Sequence, residues 1–487
     1  MSVSKALALN TTVQIIGKIL STILGVAIVG ILGRHLGTEG FGMYSTANAF
    51  FQFFAIVLDL GLNITLVQML GERAQDSAYE NKLVSAAFTL RFVSALILLG
   101  LAPCLGMFFP YAPELKMALF AIWGSFFATA LNQIVIGVHQ KHLTMHVVAA
   151  SEIAGRLILF LGTLYASFHH WGLVPIVLLV SLGSTVQFFI NFYLARRLTS
   201  FSWNWDLPFW MEILRRSWPI GVSILFSLIY FKADTLILSL VRPQTEVGLY
   251  GAAYRVLEVA SAVPFMYAGV MLPVVSHAWS SQRLDIFRTI FSRSLDAMVM
   301  LAAPLVSGTL VLATRGLTMI FNSTYEPAGD VLRILIVATG IIFFGTISSH
   351  VIVALKLQSR MLPIYVFTAL FTLIGYLILI PRYGMWAAAW LTVASEACVA
   401  IGSTWISLRH SSTNWNPRTA FKAGASAVIM GLVIYPCRQA ALFIPVFLGA
   451  AVYISLLFVT GAMTTGMLRD LLKPTPSESA SNNTPLC

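Results

Sequence analysis

The sequence predicts an all-α polytopic membrane protein with about 14 transmembrane helices. Three observations carry this. Of 487 residues, 58% are hydrophobic and only 10% are charged, where soluble domains carry about 25% charged residues; mean hydropathy is +0.84. The apolar residues are gathered into runs that reach the roughly 20 residues a helix needs to cross a bilayer. Within those runs apolar and polar residues do not alternate, which excludes a transmembrane barrel, and helices are then the only spans that satisfy their own backbone hydrogen bonds in hydrocarbon.

Fourteen segments follow in order, near residues 12–33, 43–63, 83–107, 115–137, 145–167, 173–195, 217–241, 248–273, 291–313, 331–354, 362–380, 385–407, 419–437 and 440–463. The first outruns a signal-peptide core and no small-residue cleavage site follows it, so it reads as a retained helix. The longest links are 196–216 and 274–290. Beyond Lys473 the chain (PTPSESASNNTPLC) is polar and has no apolar face, the composition of a disordered tail.

The formal net charge of +11 does not indicate nucleic acid, because the basic residues are spread over many short links without an aromatic-interleaved patch. It indicates orientation. With the N-terminus placed in the cytoplasm, nineteen of the 30 Lys and Arg residues fall on the inner side and seven on the outer side. That bias favours a cytoplasmic N-terminus and, after an even number of crossings, a cytoplasmic C-terminus. Cys104, Cys398, Cys437 and Cys487 have neither paired nor metal-ligand spacing. His139, His142 and His146 recur at helical spacing beside a link, with no Cys or carboxylate nearby in sequence to complete a metal site; they read as ordinary link histidines. No phosphate-binding loop, nucleophile elbow or zinc-protease helix is present, so neither an enzyme, a metal site nor a cofactor is expected.

A repeat divides the chain. After the first segment comes GTEGFGMYSTAN, and after the seventh QTEVGLYGAAY; allowing one gap, both give Thr-Glu, then Gly-x-Tyr, then small residues opening the next helix. Tight links at HQKHLTMH and KLQSRMLP recur likewise. This predicts an N-terminal six-helix lobe (1–200), a C-terminal six-helix lobe (201–411), two extra helices (412–465) and a cytoplasmic tail (466–487). Two repeated lobes are a common transporter plan, with the substrate site between them near the midplane.

The remaining basic residues, Arg91, Arg156, Lys232 and Arg255, lie inside apolar segments. At bilayer depth a charge costs at least about 2.5–3.5 kcal/mol, so such residues face a bundle interior or a wet cavity. Cations staggered across the membrane and drawn from both lobes suit a phosphate or diphosphate, for which Arg offers a planar donor fork. The alternative is mutual pairing: Glu152 and Arg156 are four residues apart and Arg255 and Glu258 three, each pair on one helix face. Asp234 and Glu396 are candidates for pairing or for holding a coupling ion, Glu396 near the middle of the twelfth segment. Pro264 and Pro304 are candidate hinges.

The stretches LGRHLGTEGFGMYSTANAFFQFFAIVLDLGLN and YFKADTLILSLVRPQTEVGLYGAAYRVLEVASAVPFMYAGVMLPVVS resemble the oligosaccharide flippases of the polysaccharide-biosynthesis family. That family lies within the larger group that also holds the multidrug and toxin extrusion antiporters and the lipid II flippases. The resemblance covers the first twelve segments. It implies a V-shaped two-lobe bundle in the cytoplasmic (inner) membrane, working by alternating access on an undecaprenyl-diphosphate-linked oligosaccharide for cell-surface polysaccharide, beside polymerase and assembly proteins. It also implies a cationic lumen, matched in location by Arg91, Arg156, Lys232 and Arg255. A cation-coupled multidrug or amphiphile exporter is the alternative, disfavoured by the absence of a carboxylate from the first segment, which carries Gln14 and Lys18. A non-transporting membrane subunit of a polysaccharide assembly complex is the third reading.

Overall fold

The computed structural model describes residues 3–73 and 75–463, with the side chains of 16–73, 75–218, 221 and 232–463. The expected tail lies outside the described residues. Among the described residues fourteen α-helices run in order: α1 (Val3–Asp59), α2 (Leu62–Glu72), α3 (Ser77–Gly106), α4 (Pro113–Lys141), α5 (Met145–Phe168), α6 (Leu173–Ala195) and α7 (Leu207–Val241). Then come α8 (Gln244–Ser280), α9 (Leu284–Ile320), α10 (Ala328–Ala354), α11 (Gln358–Tyr383), α12 (Met385–Ser411), α13 (Arg418–Ile434) and α14 (Phe443–Val459). No strand occurs among the described residues.

Helix α1 holds the first two predicted segments. The chain turns between them at one residue, Gly37, whose φ of 67° only glycine adopts without strain; the link drawn at 34–42 is therefore helical on both sides of a single kink. The second arm breaks at Leu60–Gly61 and continues as α2. Helices α7, α8 and α9 run beyond the apolar segments that predicted them. The start of α7 is set by Asp206, whose side chain caps the Phe209 amide, with Pro208 in the first turn. A hydrogen bond from Lys82, joined by the Phe209 amide, holds the Asp206 carboxyl below the usual carboxylate range.

Equivalent packing recurs in the two halves. In the N-terminal half α4 packs on α6, and α5 on α6 and α1; in the C-terminal half α10 packs on α12, and α11 on α12 and α7. The link after α4 turns through Leu143 (φ 54°) and the link after α10 through Lys356 (φ 57°). In lipid no hydrophobic drive brings helices together, so close approach rests on small residues. Gly155 and Gly183 show this: a β-carbon on either would come within 2.6 or 2.9 Å of the other's carbonyl oxygen.

The cores give the bundle its V. At the end bearing Gly37, one continuous apolar cluster joins both halves, from Ile28 and Tyr44 through Leu119 to Tyr250, Tyr325 and Ala388. At the opposite end the apolar packing splits into separate clusters. One lies around Leu66, Leu83, Leu131 and Trp210, the other around Met271, Phe291 and Ile347. Phe209, Trp210 and Ile213 at the start of α7 are buried in the first of these, and Ala233 and Leu238 near its end lie in the cluster that joins both halves. Helices α13 and α14 form their own cluster against α9.

Candidate functional site

Six of the intramembrane charges gather into two matched trios. In the N-terminal half, Glu152 of α5 accepts from Arg156 one turn along (Nε 3.2 Å, Nη2 3.1 Å) and lies 3.7 Å from Lys18 Nζ of α1. The Arg156 guanidinium fills the space that a β-carbon on Gly25 would take, so it lies against the first arm of α1. In the C-terminal half, Glu258 of α8 accepts from Lys232 Nζ of α7 through Oε1 (2.5 Å) and from Arg255 through Oε2 (2.6 Å). Lys232 also sits 4.8 Å from the centre of the Tyr254 ring, a cation–π contact.

Each trio thus sets two cations on one carboxylate and keeps one positive charge unneutralised. At 1.5 Å per residue, Gly25 lies about 18 Å along α1 from Gly37, and Arg255 about 16 Å into α8 from Gln244. Helix α8 packs along α1, and a β-carbon on Gly251, one turn before Arg255, would come 2.7 Å from Ser45 Oγ of the second arm. By these lengths the two trios sit at similar depth below the Gly37 end, both packed along α1. The side chains of Lys18 and Arg255 are about half exposed.

Arg91 is placed differently. Its side chain is 2% exposed, with Nη2 2.5 Å from Asp59 Oδ1 and Nη1 3.0 Å from the Leu58 carbonyl. It ties α3 to the end of α1 just before the Leu60–Gly61 break, and the structure does not bring it to the two trios.

Asp234 is buried and, among the described residues, faces no cation at hydrogen-bonding distance. Its Oδ2 accepts from Tyr250 (2.5 Å) and its Oδ1 from the Thr235 amide (2.5 Å), and Tyr250 reaches on to Thr392 Oγ1 at 3.3 Å. Glu396, one turn beyond Thr392 on α12, is 7% exposed and has neither hydrogen bond nor ion pair among the described residues. Pro264 and Pro304 lie inside α8 and α9.

Of the three histidines His146 is exposed, but His139 and His142 are held in contacts. His139 is fully buried, its ring bonded to Thr144 Oγ1 (2.8 Å) and the Asn191 carbonyl (3.2 Å), while His142 and Lys141 both reach Glu80 (2.7 and 2.5 Å). They pin the ends of α3, α4 and α6 together. Among the described residues no group of three or more His, Cys, Asp or Glu could hold a metal.

The structure defines a class: a two-lobed helical membrane bundle with paired charges buried in its helices. Residues 7–279 match the polysaccharide biosynthesis protein family, and the chain belongs to that family, as its resemblance implied. Two relatives come from Haloferax volcanii. The probable flippase AglR is 21% identical, over 80% of this chain and 81% of its own. The probable low-salt glycan biosynthesis flippase Agl15 is 22% identical, over 93% and 96%. In fold the chain is similar to the lipid II flippase MurJ in an inward closed conformation (TM-score 0.77, 16% identity, 94% of this chain and 99% of that one). It is also similar to an inward-facing multidrug resistance MATE family transporter (TM-score 0.66, 15% identity, 80% and 94%).

Proposed function

We propose that the protein flips an undecaprenyl-diphosphate-linked oligosaccharide from the cytoplasmic to the outer leaflet of the inner membrane by alternating access. The observation that carries this reading is the pair of trios, each with one uncompensated positive charge at mid-membrane. A charge there is costly unless it meets an opposite one, and a diphosphate brings two negative charges on adjacent groups, for which Arg and Lys are the matching donors. Arg156, Lys232 and Arg255, with Lys18, hold the diphosphate; Arg91 serves the packing of α3. The sugar rides in the cleft and the polyprenyl tail stays in lipid.

Membership in the polysaccharide biosynthesis family and the flippase names of both relatives favour a lipid-linked glycan as cargo. With both termini cytoplasmic, the end where the cores part faces the cytoplasm, where the cargo is loaded, and the Gly37 end is closed. The lobes, 1–200 and 201–411, rock about that end, with Pro264 and Pro304 as bending points. Asp234 and Glu396 take the coupling ion, and polymerase or assembly proteins receive the glycan outside.

The test is the triple replacement Arg156→Ala, Lys232→Ala and Arg255→Ala. Surface glycan is lost while folded protein persists in the membrane. Normal glycan export by that variant would end the proposal.

A further inference from the structure

We infer that the cavity between α9 and α14 at the Gly37 end seats an anionic phospholipid, whose phosphodiester is held by Arg315. The inference uses neither the trios nor the nature of the cargo.

Helix α14 meets α9 at one level and leaves it at another. Tyr453 Oη donates to the Met300 carbonyl (2.9 Å), and Leu457 packs in the cluster that α13 and α14 form against α9. Toward its start α14 stands off, and a cavity of about 720 Å³ opens between the two helices. Arg315, Thr318 and Met319 of α9 line one side, and Phe443, Val446 and Phe447 of α14 the other. None of its lining residues comes from α1, α5, α7 or α8, the helices that carry the trios.

Arg315 is the cation of this cavity, and among the described residues its side chain has neither ion pair nor hydrogen bond. A basic residue near a helix C-terminus ordinarily serves the last carbonyls. Here those of Met319 and Ile320 are taken by Arg34 of α1. Thr318 spends its hydroxyl on the Arg315 carbonyl oxygen (3.2 Å). Carboxylates are also lacking. The preceding acid on α9 is Asp296, about 28 Å back along the helix. Of the two acids that follow, Asp330 is paired with Arg333 and Glu326 does not line the cavity. From Ala397 to Arg469, α13 and α14 included, the sequence has five basic residues and no Asp or Glu. A cation set among apolar walls at membrane depth calls for an anion, and the protein supplies none here.

The walls identify the anion. Phe443, Val446 and Phe447 are 63%, 50% and 72% exposed. A free inorganic anion would satisfy Arg315 and leave these side chains uncovered. A phospholipid does both: its phosphate oxygens accept from the guanidinium fork, and its acyl chains cover the apolar wall. Charge then chooses among lipids. A choline or ethanolamine headgroup brings its own cation toward Arg315 and cancels much of the attraction, whereas a glycerol headgroup brings none. The seat adjoins the closed end, because Met319 in its wall gives its carbonyl to Arg34. The lipid therefore rests on the turn of α9 against which α1 closes.

The experiment uses the full chain in phosphatidylcholine nanodiscs, with phosphatidylglycerol carrying a photoreactive acyl chain as the probe and adducts mapped by mass spectrometry. Adducts should fall on residues 441–447, and unlabelled phosphatidylglycerol should displace the probe at least about tenfold better than added phosphatidylcholine does. Arg315→Ala and Arg315→Gln should each cut the yield there by about tenfold or more, the worth of a hydrogen bond to a charged group. Arg438→Ala should leave it unchanged, since Arg438 stacks on Tyr435 (4.0 Å) and does not line the cavity. Thermal unfolding without phosphatidylglycerol identifies a misfolded variant, and Arg315→Gln keeps the test open where the alanine variant fails to fold. Native yield in a folded Arg315 variant, or equal displacement by the two phospholipids, overturns the inference. Displacement by undecaprenyl diphosphate at lower concentration than by phosphatidylglycerol overturns it too, and makes the cavity a cargo site instead.

Discussion

Gly42 and Gly248 pack against each other reciprocally. A β-carbon on Gly42 would overlap the carbonyl oxygen of Gln244, four residues before Gly248, and one on Gly248 would overlap the carbonyl of Thr38, four residues before Gly42. The two residues are the glycines of the Gly-x-Tyr repeat, 206 positions apart in the sequence, and here they meet as the two sides of an approximate two-fold contact. Thr46 Oγ1 donates to Gln244 Oε1 beside it (2.8 Å), and Arg34 of α1 reaches the carbonyls of Met319 and Ile320 at the end of α9. Together these contacts seal the Gly37 end.

Gly42→Ala and Gly248→Ala therefore wedge that seal. The added methyl meets backbone on both sides, which cannot swing away as a side-chain tip could, and overpacking of this kind costs about 1–3 kcal/mol. The closed arrangement should lose that stability. A cysteine placed at Ser45, beside Gly251 in the same interface, should react faster with a thiol reagent in the alanine variants than in the native background. Equal labelling rates would mean the contact does not hold this end shut.

Arg91 separates a packing cation from the cations proposed to bind the substrate. Its partner Asp59 lies within 2.5 Å, and removing one member of a buried pair costs about 3–5 kcal/mol because the other charge is left uncompensated. Arg91→Ala should lower thermal stability by that order, and Arg91→Ala/Asp59→Ala should recover part of it. Diphosphate affinity of the folded fraction should stay native. Lys232→Ala, by contrast, should weaken diphosphate binding by roughly 10- to 150-fold, the worth of about 1.5–3 kcal/mol for a hydrogen bond to a charged group.

What could be read from the sequence follows a physical divide. The spans were legible because hydrocarbon requires long apolar runs, and the intrahelical pairs Glu152–Arg156 and Arg255–Glu258 because helical spacing fixes them. Which helices would be neighbours was not legible. Lys18 joins Glu152, and Lys232 joins Glu258, across helices α1 and α5 and α7 and α8; no periodicity announces either. The same holds for Arg91, read as a cleft cation on depth alone and found tied to Asp59 of another helix. Sequence repetition did mark Gly42 and Gly248 as equivalent, but not that they touch. His139 gave a polar signal at a link, and only the packing of α6 against α4 turned it into a buried bracket.

Orientation has an intrinsic reporter. Cys437 lies in the turn between α13 and α14, and Cys487 is the last residue, outside the described part of the chain. If the side rich in Lys and Arg is the cytoplasmic one, as proposed, an impermeant thiol reagent added to intact cells should modify Cys437 and leave Cys487 unmodified until the membrane is opened. Modification in the reverse order would invert the topology and, with it, the side proposed for loading.

Glu396 tests whether transport is driven by an ion. It is buried on α12 at 7% exposure, one turn from Thr392, which joins Tyr250 and so Asp234 in a hydrogen-bonded chain across α7, α8 and α12. A carboxylate without hydrogen bond or ion pair among the described residues is held there only at an energetic cost, and an exchangeable proton or a sodium ion would offset that cost. Glu396→Gln keeps the shape and removes the ionisable group. In vesicles loaded with labelled lipid-linked glycan, an imposed proton or sodium gradient should accelerate transfer by the native protein and have no effect on the variant. Thermal stability should be unchanged or raised, because a buried group that can carry charge has been replaced by a neutral one. A variant that still responds fully to the gradient would free Glu396 from any coupling role and leave Asp234, already satisfied by Tyr250 and Thr235, as the remaining buried carboxylate of that chain.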